Sequence, residues 1–336
     1  MKKRKFNKVL ISRVDSIGDV ILTLPMTGII KEYYPDVVVA FLGSGYTRPI
    51  LERCKFIDEI YDWPLIRDEG GDLSFIGADI IFHVFPQRPV ARAAKQSRIP
   101  IRVGTSHRIY HLFTCNRLVN LGRKHILLSE AQLNLRLLRY LKIRRHFSLE
   151  ELPKYCGWKL KDKISDKITE NLHPDKFNLV LHLKSQGNAL EWPPEKFLIL
   201  AKLLKEDQYH IFVSGTDKEG EEIRNEVPEL LSLPHVVNMT GKFTLDEFID
   251  FVQVIDGLVS SSTGPLHVAA INGSRCLGLY PDMRPKDATR WGPIGEKAEW
   301  IEDRGSDLEK KYLTNIEPEE VWNKIESWRK EDEKKK

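Results

Sequence analysis

Short apolar runs alternate with amphipathic stretches along the first 150 residues. Runs at 8–12, 37–42, 58–61, 79–84 and 102–104 carry strand-like composition, and helical spacing fills most of the gaps. A helical pattern at 129–141, with Leu133, Leu137, Leu138 and Leu141 on one side, closes this half. The periodicity fades over 144–176, a polar stretch holding Pro153 and Pro174 that reads as a linker. It then restarts, with strands at 178–183, 209–214, 236–239, 257–261 and 275–280 and helices beginning at Pro194, Lys218, Leu245 and Pro265. Such alternation predicts parallel sheets with helices on both faces, hence an α/β protein of two Rossmann-like domains in tandem. Thr244 and Glu247 form a capping-box pattern at one helix start. A last helix near 318–329 aligns Val321, Ile325 and Trp328 at i, i+4 and i+7, a stripe expected to pack back across the hinge. The expected organisation is therefore a first domain at 1–150, a linker at 151–176, a second domain at 177–315, a returning helix at 316–330 and a disordered tail at 331–336.

Length agrees with this division, since 336 residues exceed one ordinary core. Charged residues make up 30% and hydrophobic residues 41%, the balance of a globular chain rather than a disordered one. The basic start Met1-Lys2-Lys3-Arg4-Lys5 is followed by an apolar segment too short for a signal peptide, so a cytoplasmic protein is expected. Cys54, Cys115, Cys156 and Cys276 are widely spaced, which predicts free, buried thiols and no zinc or redox motif.

The net charge of +4 conceals an asymmetry. Residues 1–150 hold 25 Lys and Arg against 14 Asp and Glu, a net of +11, whereas the remainder carries −7. From 80 to 129 there is no acid at all, while Arg88, Arg92, Lys95, Arg98, Arg102, Arg108, Arg117, Arg123 and Lys124 all fall there. A surface of this kind recruits anions.

Two segments carry candidate chemistry. Near the N-terminus the apolar strand ends in Arg13-Val14-Asp15-Ser16-Ile17-Gly18-Asp19, which delivers Gly18 and Asp19 to a helix start at the edge of a parallel sheet where ligands bind. A structural alternative is that Asp19 only caps that helix or neutralises its N-terminus. Further on, Ser260-Ser261-Ser262-Thr263-Gly264-Pro265 leads from a strand into a helix. Its small residues, Pro in the first turn and free N–H groups suit a phosphate or diphosphate beside Thr263 and Gly264, with His267 on the same turn. Here too an ordinary capping loop and a core histidine are the alternative. Two loops at other strand ends, Lys184 to Glu195 and Gly215 to Glu219, are expected to ring the same cleft, the second offering an acid for a ribose diol. Neither the dinucleotide-binding nor the P-loop glycine pattern is present.

The ordered set Ser16-Ile17-Gly18-Asp19 with Leu24-Pro25, then Trp192-Pro193, then Thr263-Gly264-Pro265-Leu266-His267-Val268-Ala269-Ala270 before Leu279-Tyr280-Pro281 resembles the ADP-heptose:lipopolysaccharide heptosyltransferases, glycosyltransferase family 9. The resemblance runs from about Lys8 to Trp328. It implies a GT-B fold of two facing Rossmann-like domains, with the acceptor on the first and the nucleotide sugar on the second. Carried over, it implies Asp19 as general base and Ser16, Gly18, Lys184, Ser185, Glu219, Met239, Ser262, Thr263, Gly264 and His267 as donor contacts. The chain departs from the family pattern at Ser262, where an Asp is usual, and at Leu190-Glu191, where Lys or Arg is usual; Lys184 is expected to supply that cation.

The reaction so implied is an inverting transfer of a heptose or similar sugar from an ADP-sugar to the anionic inner core of a glycolipid, with domain closure excluding water. Arg88, Arg92, Lys95 and Arg98 are expected to hold that acceptor, and the basic face to rest on the inner membrane leaflet. No Asp-x-Asp occurs in the chain, so neither metal nor cofactor is expected, and no nucleic acid. Competing readings are a non-catalytic binder of nucleotide sugars or nucleic acid, and a sugar-nucleotide epimerase on the same fold.

Overall fold

Val9, Leu10 and Ile11 are completely buried, so β1 (Lys8–Ser12) is covered on both faces, as a central strand of a parallel sheet must be. The computed structural model describes residues 6–122, 127–305, 307 and 309–334. Its chain divides into two units, residues 1–159 and 160–336.

The first unit adds β2 (Val38–Gly43), β3 (Glu59–Asp62), β4 (Ile80–His83), β5 (Ile101–Thr105) and β6 (Arg117–Val119) in the order β3-β2-β1-β4-β5-β6. Every pairing is parallel. The second unit holds β7 (Phe177–His182), β8 (Tyr209–Ser214), β9 (Val236–Asn238), β10 (Gly257–Ser261), β11 (Arg275–Pro281) and β12 (Ala298–Asp303) in the order β12-β11-β10-β7-β8-β9. Read from β9, this is the same doubly wound order as in the first unit, and all its pairings are parallel too. Each unit is thus Rossmann-like, and its switch point, where strand order reverses, lies between β1 and β4 in the first and between β7 and β10 in the second.

Most expected strands are present within a residue or two. Two were not read from the sequence: β6, three residues with two exposed, and β12, which alternates buried and exposed positions as a sheet edge does. The expected helix at 129–141 is an α-helix over Glu130–Leu135 that tightens into 3-10 turns over Arg136–Leu141. Its start is fixed by a reciprocal pair in which Ser129 Oγ accepts from Gln132 N–H and the Gln132 side chain accepts from Ser129 N–H, both at 3.2 Å.

The expected linker at 151–176 is corrected. A helix at Leu152–Cys156 packs on the helix Pro25–Tyr33, and Lys55 and Lys159 exchange backbone bonds with Gly157 and Arg53, so the first unit keeps the chain to 159. By Lys161, whose N–H donates to Gln253, the chain belongs to the second unit.

The last helix is also corrected. It spans Pro318–Glu333, and its stripe of Val321, Ile325 and Trp328 joins the core of the second unit, against the helix Pro194–Leu203, rather than returning to the first. The Trp328 ring lies so close to Gly257 that a Cβ there would come within 3.1 Å of it, which explains a glycine at the start of β10. Residues 331–333 are helical, not a loose tail, because Arg275 bonds both Glu331 and Asp332 at 2.9 Å.

Candidate active site

At the switch point of the first unit, β1 ends in Ser12 beside His83 of β4. The next residue, Arg13, turns inward and is only 2% exposed. Its guanidinium bonds Asp15 through Nε at 2.7 Å, Asp19 through Nη2, and faces Glu130 through Nη1 at 3.6 Å. Phe85 covers the guanidinium, with 5.4 Å to the ring centroid. Glu130, 1% exposed, is delivered by the capped helix start described above.

Asp19 stands in the first turn of the helix Ile17–Ile21, yet it does not cap that helix. One carboxylate oxygen is taken by Arg13 and the other accepts the Ser16 hydroxyl at 2.5 Å, while its side chain stays 18% exposed. Asp19 therefore makes no capping hydrogen bond, while its place in the first turn still lets its charge offset the helix dipole. Burial raises the Asp15 carboxyl above its ordinary value despite the neighbouring Arg13 charge. Gly18 is buried, and its carbonyl accepts from Leu22 N–H at 2.9 Å. His83 is buried with neither ring nitrogen bonded among the described residues, and burial, aided by His111 and Arg102, lowers it to about 3.

Arg88, Arg92 and Lys95 lie on the solvent face of the helix Arg88–Gln96, whose Val90, Ala91, Ala93 and Ala94 are buried, and Arg98 follows in a left-handed conformation. All four are exposed, and none has a carboxylate partner among the described residues. Arg123 and Lys124 of the same basic stretch lie outside the described residues.

In the second unit, Ser260, His182 and Ser214 stand side by side at the ends of three neighbouring strands, with His182 Nδ1 at 3.0 Å from Ser214 Oγ. After β10, Thr263 precedes the helix Gly264–Asn272 but does not cap it: its hydroxyl pairs with Ser260 Oγ at 2.7 Å, leaving the first N–H groups without a side-chain acceptor. An uncapped N-terminus with Pro265 in its first turn favours anions. His267 is buried, its Nδ1 has no partner among the described residues, and desolvation lowers it to about 4, so it stands as a neutral imidazole. Ser262 hydrogen-bonds the buried Tyr280 hydroxyl, and Met239 is buried just beyond β9 with its N–H given to Val213.

The two loops singled out from the sequence do come together. Gln186, Gly187, Ala189 and Glu191 from one and Thr216, Lys218 and Glu219 from the other, with Glu222 of the helix Asp217–Glu226 and Lys311, line a cavity of about 490 Å³; Thr263, Gly264 and His267, expected on the same cleft, are not part of its lining. That volume falls in the range of small-ligand sites. Lys184 is beside it, buried, with Nζ 2.5 Å from Glu226, 3.7 Å from Glu191 and 3.9 Å from Glu222. Glu191 also accepts from Ser185 through both N–H (2.8 Å) and Oγ (3.0 Å), which fixes the loop. Glu219 serves a capping box with Thr216, its Oε2 accepting the Thr216 N–H at 2.6 Å and hydroxyl at 3.0 Å. The sequence motifs do not include Arg13, Glu130, His83 or His182, and Glu191 enters them only as a departure from the family pattern. For Arg13, His83 and His182 the available signal was a polar or charged residue ending, or directly following, an otherwise apolar strand; Glu130, at a helix start, and Glu191, inside a loop, carry no such signal.

Two doubly wound units, each with polar groups gathered at its own switch point, are the architecture of the GT-B fold. Residues 117–318 match glycosyltransferase family 9 (heptosyltransferase). Lipooligosaccharide heptosyltransferase 2 of Haemophilus influenzae is 31% identical over 153 residues, 41% of this chain and 43% of that protein. Among solved structures, a glycosyl transferase family 9 protein from Veillonella parvula superposes with a TM-score of 0.76 at 19% identity, covering 98% of this chain and 99% of that one. The ADP-heptose LPS heptosyltransferase II of Escherichia coli gives 0.73 at 19% identity, covering 97% and 99%. The chain belongs to glycosyltransferase family 9, the heptosyltransferase family, and is a glycosyltransferase.

Proposed function

We propose that this glycosyltransferase moves a heptose, or a closely similar sugar, from an ADP-sugar to the anionic inner core of lipopolysaccharide, with inversion at the anomeric carbon and without a metal ion. The observation that carries the reading is the Asp19 carboxylate: partly exposed at a switch point, it is held by Arg13 and Ser16 instead of being used up as a helix cap. In an inverting displacement the acceptor hydroxyl attacks the anomeric carbon from the face opposite the leaving diphosphate. Asp19 takes the hydroxyl proton as the C–O bond forms, a contribution of about 10² to 10⁴ in rate. One base suffices, because no sugar–enzyme bond is made.

The leaving diphosphate needs its developing charge met by fixed dipoles. The uncapped terminus at Thr263 and Gly264 supplies them, and Lys184 offsets the carboxylates around the cavity. Arg88, Arg92, Lys95 and Arg98, exposed and without a carboxylate partner among the described residues, suit phosphate or carboxylate groups on the acceptor. The setting proposed is the cytoplasmic face of the inner membrane; no described helix is long and apolar enough to cross a membrane.

Heating the protein with ADP-, UDP- and GDP-sugars in turn tests the donor. Protection by ADP-sugars is expected, and protection by UDP-sugars alone would overturn that choice. Asp19→Ala separates the classes: a transferase keeps donor protection and loses turnover, whereas a non-catalytic binder keeps donor protection and shows no turnover in either form.

A further inference from the structure

The helix Ile109–Thr114 is apolar on its outside. Ile109, Leu112 and Phe113, at i, i+3 and i+4, are 77%, 55% and 70% exposed, while His111 and Thr114 face inward. Scattered surface leucines need no explanation, but three large apolar side chains on one turn and a half of helix form a contiguous patch. The helix cannot roll to hide them. His111 Nδ1 is tied to the Thr105 carbonyl at 3.1 Å, and the Tyr110 hydroxyl donates to Pro86 O at 2.5 Å. The inner face is therefore committed to polar bonds that rotation would break.

What covers the patch is indicated by its charge surroundings. Arg108 directly precedes the helix, and the neighbouring helix Arg88–Gln96 exposes Arg88 and Arg92; none of the three has a carboxylate partner among the described residues. The flanking chain holds no acid between Asp79 and Glu130. Asp79 is itself engaged by the backbone N–H groups of Asn7 and Lys8. Apolar side chains beside exposed guanidinium groups that have no carboxylate partner among the described residues match the boundary of an anionic bilayer, where the apolar groups enter the acyl region and the cations meet the headgroups.

We infer that the helix Ile109–Thr114 is a membrane-docking element that inserts Ile109, Leu112 and Phe113 into an anionic lipid surface. The inference deepens the functional reading above, which supplies its setting through a glycolipid acceptor; the docking itself rests on the patch and its charges alone.

The test is co-sedimentation of the full chain with phosphatidylcholine vesicles containing either no phosphatidylglycerol or about a third of it. Wild-type protein is expected on the anionic vesicles only, and the triple variant Ile109→Ser, Leu112→Ser, Phe113→Ser is expected to bind them at least ~10-fold more weakly. Its unfolding temperature should be unchanged, since the substituted groups are exposed. Equal vesicle binding by variant and wild type overturns the inference, as does absence of binding by both. A concentration-dependent dimer that the same substitutions dissociate overturns it as well, by assigning the patch to a second copy of the chain. Turnover on a lipid-free acceptor saccharide keeps the two readings apart. Equal rates for both proteins there, with a loss for the variant only on vesicle-borne acceptor, support docking. No turnover with any nucleotide sugar defeats the transferase reading while leaving the vesicle result to judge the helix.

Discussion

Arg13 grips Asp19, six residues further along the chain, with the same guanidinium that bonds Asp15 at 2.7 Å. The pairing orients one carboxylate oxygen and leaves the other to Ser16, so the carboxylate is held in place before substrate arrives. Asp19→Asn preserves the shape and keeps an oxygen for Arg13, with the Ser16 hydroxyl turned to accept from the amide nitrogen, but removes the charge and the basic oxygen. We expect kcat to fall by about 10² to 10⁴ with the donor Kd unchanged. Steady-state rates together with calorimetric donor titration check this; a variant that keeps its kcat removes Asp19 from the chemistry.

Lys184 is buried among three carboxylates, 2.5 Å from the nearest, beside the cavity of the second unit. Whether or not it touches a phosphate, it cancels negative charge that would repel one. Lys184→Met is therefore expected to weaken ADP binding roughly 10-fold or more, the scale of a lost charged contact, while binding of uncharged adenosine changes little. Parallel titrations with the two ligands distinguish this from general damage to the loop, which would weaken both.

Metal removal gives an independent check on how diphosphate charge is met. With Lys184 and the uncapped Gly264–Asn272 terminus in those roles, transfer should proceed at the same rate in excess EDTA. A rate that collapses in EDTA and returns with magnesium or manganese would transfer that role to a cation.

The fold was readable because parallel strands buried on both faces leave unbroken apolar runs, such as Val9 to Ile11 and Leu179 to Leu181. The edges were not. Strand β6 is three residues long with Arg117 and Leu118 exposed, and nothing in so short a polar-flanked segment distinguishes it from loop. At the site, loops announced themselves through Gly18, Thr263 and Gly264, whereas their partners did not. Glu130 reaches Arg13 from 117 residues away, and Glu226 reaches Lys184 from a helix 42 residues on. Such pairings depend on tertiary approach, which no local pattern encodes. The last helix shows the same limit: its stripe was legible, its destination was not.

That destination gives a stability prediction. Trp328 is buried against Gly257 and Phe177, and its indole N–H donates to Glu299 at 2.7 Å. Trp328→Ala should destabilise the second unit by about 3–5 kcal/mol, the usual cost of emptying so large a core position. Urea unfolding followed by circular dichroism measures it. A change under about 1 kcal/mol would mean that the stripe contributes little to that core.

His83 makes the first unit sensitive to acid. Buried at the end of β4 and close to His111 at 5.5 Å between ring centroids, it has no bonded ring nitrogen among the described residues, and burial lowers it to about 3. In the unfolded chain an imidazole takes up its proton near 6.5. Below that pH the unfolded state therefore binds one more proton than the folded state, and stability falls as pH falls. The contribution is complete above about 6.5 and is lost at about 1.4 kcal/mol per pH unit on the way down toward 3. His267 in the second unit, lowered to about 4 by burial, acts in the same direction over 6.5 to 4. His83→Leu keeps an apolar group of similar volume and removes the proton. Its unfolding free energy should decline less steeply between pH 6.5 and 4.5 than that of the wild type, by the slope of one proton, while the two proteins differ by a constant amount above pH 7. Parallel slopes below pH 6 would show that His83 is already protonated in the folded chain, which its unbonded, enclosed ring makes costly.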